Sequence, residues 1–209
     1  MADFASDTMK DKKGYLSEEQ VDDILKATTN PRDRILLQVI YRCGRRVSEV
    51  LLLKEGDILW DDGKIIFNIL KRKKPVRELK PVDGETLRLL KEYMGSRDSM
   101  KFLRKQSTDG RIFPITRQYV YKMMRNVGKR AGITHVGDKL LHPHHLRHSF
   151  AVHQVKNNIK TADDLRKLQR YMGHANFNTT AHYLQYSSDE LRDVTDMWDK
   201  KEKNKKINR

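Results

Sequence analysis

Four short clusters in this chain hold residue types suited to handling a phosphate ester. In His144-His145-Leu146-Arg147-His148, His144 and Arg147 stand three apart, so on a helix they share one face. Pro143 just before them suits a first helical turn, where a missing N–H goes unnoticed. An Arg beside a His near a helix N-terminus makes an oxyanion site, because a guanidinium can hold two phosphate oxygens at once. The second cluster is Gly44-Arg45-Arg46-Val47-Ser48-Glu49. It follows an apolar helical stripe that should carry Arg46 toward the core, where an Arg is unfavourable unless it meets an anion. In the third, Met172-Gly173-His174 is followed nine residues later by Tyr183, whose phenolic oxygen can attack phosphorus if its charge is stabilised. The fourth is the basic run Lys71-Arg72-Lys73-Lys74-Pro75, with Arg77 close behind.

Those side chains need a scaffold, and the chain reads as α+β, mainly α. Ser17 is a helix N-cap with Gln20 reaching back as a capping box, and Val21, Ile24 and Leu25 follow at helical spacing. Pro31 opens a second helix with Ile35, Leu36, Val39, Ile40 and Cys43 inward, interrupted at Gly44. Asp61-Asp62-Gly63 is a hairpin turn between Ile58–Trp60 and Ile65–Ile69, and the basic run turns the chain again before Val76–Val82. The result is a small three-stranded antiparallel sheet. Helices are expected over Gly84–Met94, Thr116–Ala131, His144–Asn157, Ala162–Met172, Asn176–Tyr186 and Asp189–Trp198. Arg97–Gly110 is expected as a polar connection and Gly132–Lys139 as a loop. One domain should cover 15–198, between a flexible start at 1–14 and a basic flexible tail at 199–209.

Composition narrows the partner. Among 209 residues, Lys and Arg number 43 against 28 Asp and Glu, a formal net charge of +15. Self-repulsion on that scale calls for a polyanion, and nucleic acid is the commonest one. A mean hydropathy of −0.79 beside 37% apolar residues describes a folded domain with a heavily charged surface. No apolar run approaches the roughly 20 residues of a membrane span. The start, MADFASDTMK, lacks a signal peptide's apolar region, and the single Cys43 cannot pair within the chain. Double-stranded DNA is the expected partner, no membrane is expected, and a cytoplasmic location follows.

Plainer roles compete at each cluster. His142, His144, His145, His148 and His153 crowd together, and His144/His148 has zinc-like spacing, but no His-Glu-x-x-His is present. The nearest carboxylates, Asp138 and Asp163, lie outside the cluster, so no metal is expected. His145, His148 and His153 suit capping, packing or contacts to a DNA backbone. Tyr183 alone, near Tyr171, His182 and Tyr186, would read as packing, and the basic run alone as a solvated hairpin. Gly44 and Gly173 could be helix C-caps.

Together, in order, the pieces resemble the tyrosine recombinase (phage integrase) family. That family shows a Gly-x-Arg-x-Ser-Glu box, a hairpin Lys, a His-x-Leu-Arg-His box, a Gly-His pair and a Tyr nine residues after that His. The resemblance covers roughly residues 16–190 and implies these roles. Arg46 and Arg147 hold the non-bridging oxygens of the scissile phosphate. Tyr183 attacks phosphorus to leave a 3′-phosphotyrosyl bond. Lys73, eight before Pro81, protonates the 5′ oxygen, with Lys71 and Lys74 as alternatives. His144 is a base or a proton-sharing phosphate ligand, His174 a further donor, and Glu49 orients the catalytic groups. Lys71, Arg72, Lys74 and Arg77 would contact DNA. Neither metal nor nucleotide cofactor is implied.

The expected activity is site-specific recombination or integration through a Holliday junction, with a homotetramer on DNA or a related recombinase as partner. Type IB topoisomerase activity and a basic DNA-binding factor are the alternatives. The position before Arg46 is usually apolar in the family, and here it is Arg45. Family members also usually carry an N-terminal helical domain that clamps the DNA. Either such a part was trimmed, or the protein is a natural catalytic-domain-only member.

Overall fold

The computed structural model describes residues 14–69, 76–101 and 110–186. It resolves into two compact units, 1–150 and 151–209, whose boundary falls inside one helix.

In the first unit, helix α1 (Glu18–Ala27) opens as its sequence requires. Ser17 Oγ accepts from the Gln20 N–H, and the Gln20 side chain accepts from the Ser17 N–H. Helix α2 (Pro31–Arg42) is capped by Asn30, whose side chain accepts from Asp33 N–H. A short α3 (Val47–Leu51) and a 3₁₀ turn (Glu55–Asp57) lead into the sheet. Strands β1 (Ile58–Leu59), β2 (Lys64–Ile69) and β3 (Val76–Pro81) pair antiparallel in sequence order. Register runs from Lys64 opposite Pro81 to Ile69 opposite Val76, so Ile65, Phe67 and Ile69 all face inward. The three-stranded sheet and the Gly63 turn are therefore as expected.

Two expectations for this unit need correction. Helix α4 runs from Gly84 to Lys101, past Met94, so Arg97–Lys101 is helix and not connection. The added residues, Gly95-Ser96-Arg97-Asp98-Ser99-Met100-Lys101, carry no apolar period and include weak helix formers in Gly, Ser and Asp, so nothing in the pattern marked the extension. After α5 (Arg117–Arg130), the stretch expected as a loop holds a two-stranded ribbon, β4 (His135–Val136) with β5 (Lys139–Leu140). Strands of two residues are too short to show alternation. Helix α6 (Pro143–Asn158) then carries the chain across the unit boundary. The core gathers Leu16, Ile24, Leu36, Ile40, Phe67 and Phe113, each fully buried, among others.

The second unit holds the end of α6, then α7 (Ala162–Met172) and α8 (Phe177–Ala181), then a 3₁₀ turn (His182–Tyr186). The helix expected over Asn176–Tyr186 is thus a short α-helix that tightens into 3₁₀. Asn176 caps α8, its side chain accepting from Asn178 N–H. The expected helix over Asp189–Trp198, the flexible start and the basic tail lie outside the described residues. Among the described residues no helix is long and apolar enough to cross a membrane.

Gly128 shows how tightly α5 is set. A Cβ there would run into the backbone carbonyl of Ile133 and the side chain of Leu141. Gly128→Ala should therefore destabilise by roughly 1–3 kcal/mol, because the overlap with fixed backbone outweighs the helix-propensity gain of about 1 kcal/mol. Urea unfolding of the two proteins measures the sign. A more stable alanine variant would show that the α5 turn relaxes freely.

Candidate active site

The first unit builds an arginine pair around one buried carboxylate. Helix α2 ends at Cys43, and Gly44 turns the chain with φ +57°, a left-handed conformation that suits glycine. The Phe150 ring fills the space a Cβ at 44 would take. Arg46 follows as the N-cap of α3, with Glu49 at its third helical position. The Glu49 carboxylate, wholly buried, accepts from the Arg46 N–H at 3.1 Å and from Arg46 Nη1 at 2.7 Å. Its Oε2 lies 4.0 Å from Arg147 Nη1, and that nitrogen donates to the Gly44 carbonyl at 2.6 Å. Two guanidinium groups thus converge on one carboxylate, and the cluster of three is net positive. Arg147 is nearly buried, whereas the Arg46 side chain keeps 25% exposure, enough to meet a ligand.

Of Arg45 and Arg46, it is Arg45 that is fully buried, which corrects the expectation that the apolar stripe would take Arg46 inward. Arg45 Nε donates to the Cys43 carbonyl at 3.0 Å, and its guanidinium lies 5.1 Å from the centre of the Phe67 ring. Left-handed Gly44 breaks the helical phase, so the stripe of α2 does not predict which arginine points in.

At the N-terminus of α6 the histidines pack on one another. The His142 and His145 ring centres are 3.9 Å apart, those of His142 and His144 6.4 Å, and Tyr121 stacks on His142 at 6.0 Å. Crowding by the surrounding protein pushes His144 down to about 4 although the residue itself is exposed, and the charges of Arg147, its histidine neighbours and Arg46 add to the shift. His145 is buried and lowered to about 3, first by burial and then by its histidine neighbours. Both rings are neutral at pH 7. Among the described residues, no group of His, Cys, Asp or Glu is arranged to hold a metal ion.

The second unit joins the other two candidates. Gly173 caps α7 in the left-handed conformation, φ +68°. His174 N–H then donates to the Gln169 carbonyl at 3.1 Å, and Gln169 Nε2 donates to the His174 carbonyl at 3.1 Å. His174 Nδ1 is 2.8 Å from the hydroxyl of buried Thr180. The Tyr183 ring stacks near His174, centres 6.3 Å apart and planes inclined by 21°, and Tyr183 is buried. The nine-residue interval is what α8 and its 3₁₀ turn need to bring that tyrosine back over the histidine. Thr180, which fixes the imidazole, carried no signal in the sequence.

Arg46, Glu49, His144 and Arg147 therefore gather in the first unit, and His174 and Tyr183 in the second. Lys71, Arg72, Lys73 and Lys74 lie outside the described residues. Arg77, on β3, pairs with Asp57 at 2.5 Å while its side chain stays 60% exposed.

Comparison with known proteins places the chain in a family. The phage integrase family model matches residues 14–190. The chain is 32% identical over 180 residues to tyrosine recombinase XerA of Thermococcus onnurineus, an overlap of 85% of this chain and 60% of that protein. It therefore spans less than two thirds of that relative's length. A crystal structure of XerA recombinase superposes with TM-score 0.69 at 26% identity, over 88% of this chain and 64% of the other. A XerH recombinase structure, solved with a palindromic difH substrate after cleavage, gives TM-score 0.70 at 24% identity. That overlap takes in 91% of this chain and 54% of the XerH chain, and at this identity the likeness concerns the fold.

Two outcomes follow from this geometry. Glu49→Ala removes the carboxylate on which both arginines converge and should cost about 3–5 kcal/mol of stability in urea unfolding. A loss below about 1 kcal/mol would mean the arginines are held by other contacts. Acid should also weaken the fold. Unfolded imidazoles take up protons near 6.5, while folded His145 does so only near 3, so between those values the unfolded chain binds more protons. Stability is then full above 6.5 and falls as pH drops toward 3. His145 alone accounts for about 2 kcal/mol between pH 7.5 and 5. A urea midpoint unchanged between those two pH values would contradict the buried neutral ring.

Proposed function

The chain belongs to the phage integrase family, and from that membership we propose that it is a site-specific DNA recombinase working through a covalent bond to Tyr183. The observation that carries this is the convergence of Arg46 and Arg147 on buried Glu49. A net positive, rigidly held pair of guanidinium groups suits the two non-bridging oxygens of a phosphodiester. The +15 charge of the chain supplies the longer-range attraction to DNA.

The chemistry divides among the residues as follows. Arg46 and Arg147 hold the scissile phosphate and stabilise the charge that builds on its oxygens in the transition state. Glu49 fixes both side chains and so lowers the reorganisation needed as that charge develops. The Tyr183 oxygen attacks phosphorus. Its proton passes to His144, whose neutral ring is able to accept it. The bond from phosphorus to the 5′ oxygen breaks, and Lys73 protonates that oxygen, leaving a 3′-phosphotyrosyl bond and a 5′-hydroxyl. When the Thr180 hydroxyl donates to His174 Nδ1, the ring proton sits on Nε2, available to a phosphate oxygen.

Religation reverses the sequence with the 5′-hydroxyl of another strand, because the phosphotyrosyl bond keeps the energy of the ester it replaced. Exchange between two duplexes takes four such cleavages through a Holliday junction, which fits a tetramer assembled on DNA. Neither metal nor nucleotide enters any step.

A nicked duplex bearing the target site traps the covalent adduct for a denaturing gel. Wild type should give an adduct in the presence of a chelator, and Tyr183→Phe none. Arg147→Ala should lower the rate by about 10³-fold or more. An adduct from Tyr183→Phe at the wild-type level would remove the nucleophile assignment.

A further inference from the structure

The chemistry above leaves Arg45 unused, although it is a fully buried ion in the corner that delivers Arg46. Replacing a buried ion by an apolar side chain of similar volume is often neutral or stabilising, so stability does not account for an arginine here. A guanidinium offers direction instead, because it donates from fixed positions and sits on aromatic faces.

Both properties are used at this corner. The Arg45 N–H donates to the Ile40 carbonyl at 3.1 Å, which pins the residue to the last turns of α2. Its Nε donates to the Cys43 carbonyl at 3.0 Å, and its guanidinium stands over the Phe67 ring of β2, 5.1 Å from the centre. Phe67 lies opposite Glu78 on β3, and Glu78 pairs with Lys80 at 2.9 Å, both side chains largely buried. Arg45 thus bears on the sheet close to where its two longer strands end together, at Ile69 and Val76. Residues 70–75 connect those ends, and Lys73 lies four residues beyond Ile69.

We infer that Arg45 is a positioning residue, which fixes the β2–β3 pair against the Arg46 corner and thereby sets Lys73 at the 5′ oxygen of the scissile phosphate. The step it serves is the breaking of the bond from phosphorus to that oxygen, in which the Lys73 ammonium gives the oxygen its proton. Phosphate ligand and proton donor come from separate elements, a helix corner and a strand connection, so their spacing has to be held. An apolar side chain at 45 would fill the space and leave the sheet free to shift against the corner. This rests on the recombinase reading above, which assigns Arg45 no role.

Hydrogen exchange read by mass spectrometry tests the hold on the sheet. Arg45→Met keeps length and burial but loses the directed contacts. Its amides over 64–69 and 76–81 should exchange about tenfold faster than in wild type, while those of α1 stay unchanged. Arg45→Lys keeps the charge without the planar fork and should show the same pattern, so the result does not hang on one variant folding.

A sulfur substitution tests the chemistry. The nicked duplex of the adduct assay is made with a bridging 5′ sulfur, which leaves as a thiolate and needs no proton, since thiols ionise at about 8.5. On the ordinary duplex, Arg45→Met should form adduct about 10²-fold more slowly, the loss expected of a misplacement of about 1 Å. On the sulfur duplex it should come within about threefold of wild type, because a general acid no longer matters. Lys73→Ala should behave alike, and Arg147→Ala should be slow on both.

Unchanged exchange over 64–81, or equal acceleration in α1, would refute the hold on the sheet. Faster exchange with both duplexes slowed equally would refute the route through the leaving oxygen. Failure of sulfur to rescue Lys73→Ala would remove the proton donor and that route with it. If wild type itself formed no adduct on either duplex, the recombinase reading would fall, while exchange would still decide whether Arg45 holds the strands.

Discussion

The buried carboxylate of Glu49 is the constraint around which the first unit is organised. A full charge with no exposure needs partners, and it takes them from Arg46 in its own turn and from Arg147 on α6, about a hundred residues away. Arg147 in turn binds the carbonyl of Gly44, so the corner that delivers Arg46 and the helix that bears Arg147 are set by one network. Such a network is poor at adding stability, because desolvating three ionised groups offsets most of their attraction. What it does supply is a fixed geometry with a positive balance, the condition under which electrostatic stabilisation of a transition state needs little rearrangement.

Much of this was legible in the sequence, for identifiable reasons. Ser17 with Gln20, Pro31 at the start of α2, and Asp61-Asp62-Gly63 are local signals that act within a few residues, and each formed the element it marked. The alternation of Ile65, Phe67 and Ile69 placed β2 correctly against the core. Candidate site residues were visible through the spacing of their types, above all the interval from His174 to Tyr183.

What escaped was decided by contacts between distant segments. Which of Arg45 and Arg46 turns inward depends on the left-handed Gly44 and on Phe67 in another element. Thr180 matters only because α8 brings its hydroxyl to His174. The far turns of α4 and the β4–β5 ribbon lacked a period long enough to read. His145 could be named as a capping candidate, but its acceptor role toward His142 depends on where α6 begins.

Gly44 and Phe150 also bear on the paths open to this sequence under mutation. The ring occupies the place of a missing Cβ, so two positions 106 apart behave as a single inherited choice. Position 150 can shrink while 44 stays glycine, leaving a void. Position 44 can gain a side chain only after 150 has shrunk, and then still under the strain of φ +57°. The order of the two steps is therefore not reversible. Homologues with a side chain at 44 should show a smaller residue at 150, and lineages that kept the aromatic ring should have kept the glycine with it.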